Sequence, residues 1–123
     1  MIAVIADDFT GAAELAGISL RYGLSVEVLL DTVSDSNADV VIVCTDSRSM
    51  QKAAAIYCTA EAVEALMDLQ PEIVYKKIDS VLRGYVIDEA KVQMELSEKT
   101  KALILPANPS LQRTISKGEY FIK

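Results

Sequence analysis

Asp7 and Asp8 stand side by side directly after the apolar run Ile2-Ala3-Val4-Ile5-Ala6, and Thr10 and Gly11 follow at once. A carboxylate there can accept a proton from a hydroxyl, and the N-terminus of a helix opening at Thr10 would present free backbone N–H groups and a positive dipole end to an anion. A second cluster, Lys76-Lys77-Ile78-Asp79-Ser80-Val81-Leu82-Arg83-Gly84, joins a rigid bidentate guanidinium and compact ammonium charges to an acid and a hydroxyl that hold polyols. That inventory fits a small hydroxylated anion. Each residue also has a plain structural reading. Asp and Thr cap helices, Gly makes tight turns, Lys76 or Lys77 can face solvent, and Arg83 can pair with a neighbouring acid. Four polar residues in one loop after a buried strand are nevertheless a costly arrangement without a ligand.

The elements that must position these groups alternate in type. After the strand 2–6, residues 11–22 place Ala12, Leu15, Ala16, Ile18 and Tyr22 at helical intervals, with Gly23 where a left-handed cap belongs. A strand at 25–30 and a polar connection at 31–37 follow. The strand 39–44 ends in Thr45-Asp46-Ser47-Arg48-Ser49, and an Ala-rich helix closed by Pro71 turns Ile56, Ala60, Val63 and Met67 inward. A fourth strand at 72–78 discharges into the Asp79–Gly84 cluster. A helix at 86–96 directs Ile87, Ala90 and Met94 inward, and a fifth strand at 102–105 ends at Pro106-Ala107-Asn108-Pro109. Residues 117–123 read as a turn into a strand. The expected fold is α/β: a doubly wound, mainly parallel sheet with helices on both faces. Right-handed connections then place the clusters at 7–11, 45–49, 79–84 and 107–113 on one rim.

Composition removes several function classes. Of 123 residues, 51% are hydrophobic, enough for one domain with a real core. Twelve Lys and Arg against eighteen Asp and Glu give a net charge of −6, so no global field draws the chain to nucleic acid or anionic lipid. Histidine is absent, which removes the usual neutral-pH proton shuttle and the commonest metal ligand; no metal site is expected. Cys44 and Cys58 match no zinc spacing and read as reduced, buried residues. With no basic leader and no run of membrane-spanning length, cytoplasmic residence is expected.

Ala6-Asp7-Asp8-Phe9-Thr10-Gly11-Ala12, Thr45-Asp46-Ser47-Arg48-Ser49, Lys77-Ile78-Asp79-Ser80-Val81-Leu82-Arg83-Gly84 and Pro106-Ala107-Asn108-Pro109 with Arg113-Thr114-Ile115 and Gly118 resemble, in order and spacing, the signatures of the four-carbon acid sugar kinase family. The resemblance covers essentially the whole chain but only that family's N-terminal part. It departs from the usual pattern at Val81, Tyr85 and Gln112, where Thr, Asn and Gly are usual. It implies an ATP-dependent kinase acting on a terminal hydroxyl of threonate, erythronate or a 3-oxo relative. Residues 1–123 would be its sugar-acid-binding N-terminal domain. ATP and Mg²⁺ would arrive with a C-terminal domain outside these residues, and this stretch alone would be inactive. Asp8 would act as base and Asp7 would orient the turn. Asp7, Thr10, Gly11, Arg48, Lys77, Asp79, Ser80, Arg83 and Gly84 would shape the acid site, with Arg83 the first choice for the substrate carboxylate and Arg113 a further candidate. The expected partners are a small sugar acid and the absent domain, or another copy of the chain through apolar surface left for that domain.

No Gly-x-x-x-x-Gly-Lys-Ser/Thr or Gly-x-Gly-x-x-Gly run occurs. A second reading belongs to another class: a phosphoacceptor receiver domain, with Asp7, Asp8 and Asp46 as its acids. Against it, Leu105 rather than Lys precedes Pro106, and the 79–84 cluster would lack a purpose. A haloacid-dehalogenase phosphatase fits less well, because Phe9 replaces the second acid of its strand-end motif.

Overall fold

The computed structural model describes residues 1–31, 33 and 35–123; the polar connection expected at 31–37 includes Thr32 and Ser34, which lie outside the described residues. Four parallel strands, β1 (Ile2–Ala6), β2 (Val26–Leu29), β3 (Val40–Cys44) and β4 (Ile73–Lys77), form one sheet in the order β2-β3-β1-β4. β1 and β3 are the apolar runs, and their burial on both sides is what an internal parallel strand requires.

Helices cover both faces. α1 (Phe9–Arg21) packs Ala12, Leu15 and Ala16 against Val4, Ala6, Val40, Ile42 and Cys44. α2 (Lys52–Asp68) packs Ala62, Val63 and Leu66 against Ala3, Ile5, Val41 and Val43 on the other side, with Leu96 of α3 (Val86–Leu96) at the margin. The chain thus leaves β1 across one face and returns from β3 to β4 across the opposite one. Its register pairs Ala6 with both Cys44 and Lys77, so the segments beginning at Asp7, Thr45 and Ile78 emerge at one level of one rim.

The sequence expectations need correction at the 102–105 run and at the inward faces of the helices. The 102–105 run forms no ladder with β4. An apolar run sets a strand preference but leaves pairing to tertiary contacts. Here the 101–107 segment instead encloses, with β4 and α3, an apolar cavity of about 570 Å³, and Tyr120 donates a hydrogen bond to the Pro106 carbonyl at its end. The turn and strand read at 117–123 are present as Lys117-Gly118 and β6 (Glu119–Ile122); β6 pairs antiparallel with β5 (Arg113–Ser116), a strand the sequence reading had not assigned.

The helix faces are also rotated by about one residue. α2 buries Ala55, Thr59, Ala62, Val63 and Leu66 rather than the stripe through Ile56, Ala60 and Met67. α3 buries Val86, Glu89 and Gln93, while Ile87 is 52% exposed. A polar stripe points inward on α3 because Glu89 has partners there: Lys76 of β4 forms an ion pair with it, and Ser47 donates a hydrogen bond to its Oε1 at 2.8 Å. Ile18 of α1 and Tyr22, the residue that caps its C-terminus, lie outside the packed stripe and are exposed.

Removing one partner of a buried pair strands the other's charge. Glu89→Ala is therefore expected to cost about 3–5 kcal/mol in urea unfolding, whereas Lys76→Met combined with Glu89→Leu should cost far less. Equal losses for the two variants would contradict a paired, desolvated Lys76.

Candidate functional site

Asp8 caps α1: its Oδ1 accepts the Gly11 N–H at 3.0 Å. Its Oδ2 accepts from Arg48 Nη1 at 2.9 Å. The same guanidinium holds Asp7 from two sides, with Nε to Oδ2 at 3.0 Å and Nη2 to Oδ1 at 2.8 Å. Asp7 is 2% exposed, a burial tolerable for a carboxylate only because the bidentate fork compensates its lost hydration. Asp7 in turn raises the Arg48 guanidinium above its ordinary pKa, the hydrogen bond outweighing the opposing effect of burial.

Arg48 lies in a 3-10 turn, Ser47–Ser49, after β3. Ser47 is fully buried and bonded to Glu89, and it shares a 2.9 Å hydrogen bond with the Thr45 hydroxyl. The guanidinium is thereby carried on a turn anchored in the core. Gly84 makes room for it. Its φ of +81° suits glycine, and a Cβ there would come within 3.0 Å of Asp7 Oδ2. A Cβ on Gly11 would meet Asp8 Oδ1 at 2.7 Å and Lys77 Cγ at 3.1 Å, so this glycine keeps the cap and the lysine close.

Alternation along β4 separates its two lysines. Lys76 turns to Glu89 in the interior; Lys77 reaches the opposite face, 3.3 Å from Glu14 of α1, and donates to the Ile78 carbonyl at 3.1 Å. Beyond the strand, Asp79 accepts from Arg83 Nε at 2.8 Å, Arg83 Nη2 at 2.9 Å and the Arg83 backbone N–H at 3.0 Å. The Arg83 guanidinium beside Asp79 holds its carboxyl well below the usual carboxylate range, although burial pulls the other way. Arg113 donates to the Ser80 hydroxyl, and Tyr120 donates to the Ser80 carbonyl, so the hairpin clasps this loop.

Asp8, Thr10, Gly11, Arg48, Lys77, Asp79, Ser80 and Arg83 all line one open cavity of about 410 Å³ at the rim. Asp7 and Gly84 do not face it; they stand behind Arg48. Glu14 also lines the cavity and was missed, and Asn108 lines it from the 107–113 cluster that the sequence placed on this rim. Glu14 carried a signal, since it lies one helical turn after Gly11 on the same face. Four cationic side chains, Arg48, Lys77, Arg83 and Arg113, meet three carboxylates, Asp8, Glu14 and Asp79, in a chain whose overall charge is −6. The 570 Å³ cavity is larger but mostly apolar, and none of these seven groups lines it; its charged residues are Lys76, Lys99 and Lys101. Asp46 is exposed and lines neither of them. No helix is long and apolar enough to cross a membrane among the described residues.

A family model described as the sugar-binding N-terminal domain matches residues 2–123. The chain belongs to this family. Curated relatives of this sugar-binding domain include a D-threonate kinase of Salmonella typhimurium, 35% identical over 97% of the chain and 29% of the relative. A D-erythronate kinase of Heliobacterium modesticaldum is 31% identical over 98% and 29%. A 3-oxo-tetronate kinase of Pseudomonas savastanoi pv. phaseolicola is 27% identical over 100% and 31%. The chain thus spans less than a third of the length of the curated relatives it matches. Among solved structures, a crystal structure from Salmonella typhimurium LT2, described as a "putative tRNA synthase", matches with a TM-score of 0.90 at 28% identity over 98% of this chain and 31% of that one. The resemblance to four-carbon acid sugar kinases and the doubly wound fold read from the sequence both hold.

The Asp79–Arg83 pair makes the domain's acid stability testable. Asp79's carboxyl lies lower in the folded chain than the roughly 3.9 of an unfolded one, so its stabilisation is complete above that value and is lost as pH falls through the folded one. Arg83 is 66% exposed, so solvent screens part of the effect. Asp79→Asn is expected to flatten the decline of unfolding free energy below about pH 4; an unchanged acid limb would show that Asp79 does not carry it.

Proposed function

We propose that this sugar-binding domain holds a four-carbon sugar acid for phosphorylation at a terminal hydroxyl, as part of an ATP-dependent kinase. The convergence of Asp8, Arg48, Lys77, Asp79, Ser80 and Arg83 on one rim cavity carries the reading. It supplies cations for a carboxylate, hydroxyl and carboxylate partners for a polyol, and one acid placed at a helix start. The names of the relatives support the same class of substrate.

Phosphoryl transfer depends chiefly on positioning and charge stabilisation, and on the acceptor side it needs a group that takes the hydroxyl proton. Asp8 is that group in this proposal. Its side chain is 23% exposed toward the rim and oriented by Arg48 and the Gly11 N–H. Lys77, Ser80 and Thr10 line the place of the acid, Arg83 holds Asp79 beside it, and Asp7 holds Arg48.

A nucleotide does not fit these residues. The N-terminus of α1, where a phosphate would bind, is taken by the Asp8 carboxylate itself, and no glycine-rich phosphate loop is present in the sequence. ATP and Mg²⁺ are therefore assigned to a C-terminal domain of the whole protein, which would close over the rim. Exposed Phe9 and Leu82, beside the cavity-lining loops, suit such a neighbour. Two unpaired thiols, Cys44 and Cys58, and the absence of a long apolar helix among the described residues fit a cytoplasmic enzyme. The receiver reading lacks support: Arg48 occupies the space between Asp7 and Asp8 where that function needs a divalent cation, and Asp46 points elsewhere. The negative net charge gives nucleic acid no purchase.

Asp8→Asn keeps an acceptor for the Gly11 N–H but cannot take a proton. In the complete enzyme it is expected to lower kcat by about 10²–10⁴ with KM for the acid changed far less. Steady-state kinetics with threonate and erythronate check this, and an unchanged kcat would remove Asp8 from the role of base.

A further inference from the structure

The four cations of the rim cavity are not equally available. Arg48 is committed to Asp7 and Asp8 through three hydrogen bonds of 2.8–3.0 Å. Lys77 stands 3.3 Å from Glu14. Arg83, the cation that sequence reasoning favours for the substrate carboxylate, spends both faces of its fork on Asp79. Its side chain is also 66% exposed, where hydration weakens its hold on an anion.

Arg113 differs. It makes no ion pair among the described residues, and the hydrogen bond given to its guanidinium goes to a neutral acceptor, the Ser80 hydroxyl. Its charge is therefore not cancelled locally. It is also held in place. Its backbone exchanges two hydrogen bonds with Asn108, of 2.8 and 3.0 Å, closing the tight 108–113 loop. The hairpin that begins at Arg113 is tied to the site by Tyr120, whose hydroxyl lies between the Ser80 and Pro106 carbonyls and shares its one proton with them. A half-buried, positioned guanidinium without an acid partner is the group whose charge a ligand carboxylate would complete.

We infer that Arg113, with the Ser80 hydroxyl beside it, binds the carboxylate of the sugar acid, while Arg83 serves Asp79 and shapes the loop. This deepens the kinase reading above and rests on it. Arg113 then sets the preference for acids over neutral polyols, and Asn108 and Tyr120 hold it in position. Each N–H of the fork that meets a carboxylate oxygen adds a charge-assisted bond that a neutral amide reproduces poorly.

The test uses the complete enzyme, a four-carbon sugar acid as substrate and its neutral amide as competitor. Arg113→Ala is expected to raise KM for the acid at least about tenfold, with the amide's Ki and kcat each changed by less than about threefold. Arg113→Lys, which restores the charge, should recover part of the acid preference. Arg113→Gln keeps a donor for Ser80 and serves where the alanine variant folds poorly; it should lose the preference equally. Arg83→Ala should shift acid and amide by the same factor. An Arg113→Ala or Arg113→Gln enzyme that keeps the acid preference, or an Arg83→Ala enzyme that loses it, overturns the assignment and leaves the kinase reading standing. A wild-type enzyme that phosphorylates no four-carbon acid overturns that reading and this assignment together.

Discussion

The rim depends on one guanidinium. Two adjacent carboxylates at the end of the central strand would repel each other, and the more buried of them, Asp7, would be costly to keep charged. Arg48 resolves both problems. It forks onto Asp7 and reaches Asp8 with its remaining amino group, so the loop after β3 is fastened to the loop after β1. The fastening leaves Asp8 oriented at the rim and lets Gly84 bring the loop after β4 against the same pair. Three strand ends that share only a register thereby become one surface.

A second ion pair supports that surface from below. Lys76 and Glu89 join β4 to α3, and Glu89 also receives Ser47, the residue before Arg48. The two lysines of β4 thus have separate tasks dictated by the period of two along a strand. Lys76 braces the core side, and Lys77 faces the cavity on the α1 side. A buried ion pair is weak evidence for net stability, since its desolvation offsets much of the attraction. What it contributes here is position: a polar stripe on α3 has one rotational setting in which its carboxylate meets both partners.

Strands β1 and β3 were legible because an unbroken apolar run ending in polar residues has few other meanings; β4, Ile73-Val74-Tyr75-Lys76-Lys77, was legible from its β-branched and aromatic start, and α3 spans the residues its periodicity assigned. The inward faces of α2 and α3 were not, because periodicity counts apolar residues and the buried positions include Thr59, Glu89 and Gln93. The run at 102–105 shows the converse limit: its residues favour a strand, yet pairing depends on where Tyr120 and the hairpin hold the chain. Most of the cavity residues could be named from the strand-end rule. Their pairings could not, since Arg48 meets acids some forty residues away and local spacing says nothing about which cation is spent and which is free.

The central claim is that this rim binds a four-carbon sugar acid, and equilibrium binding tests it most directly. A ligand that binds only the folded state raises unfolding free energy by mass action, about 2.7 kcal/mol at a hundred times its Kd. Thermal unfolding of the protein would be followed with threonate, erythronate and their neutral tetritols, with acetyl phosphate and Mg²⁺ as a control. Stabilisation by at least one acid, exceeding that by the matching tetritol, is the predicted result. No stabilisation by any acid, together with a Mg²⁺-dependent response to acetyl phosphate, would contradict it.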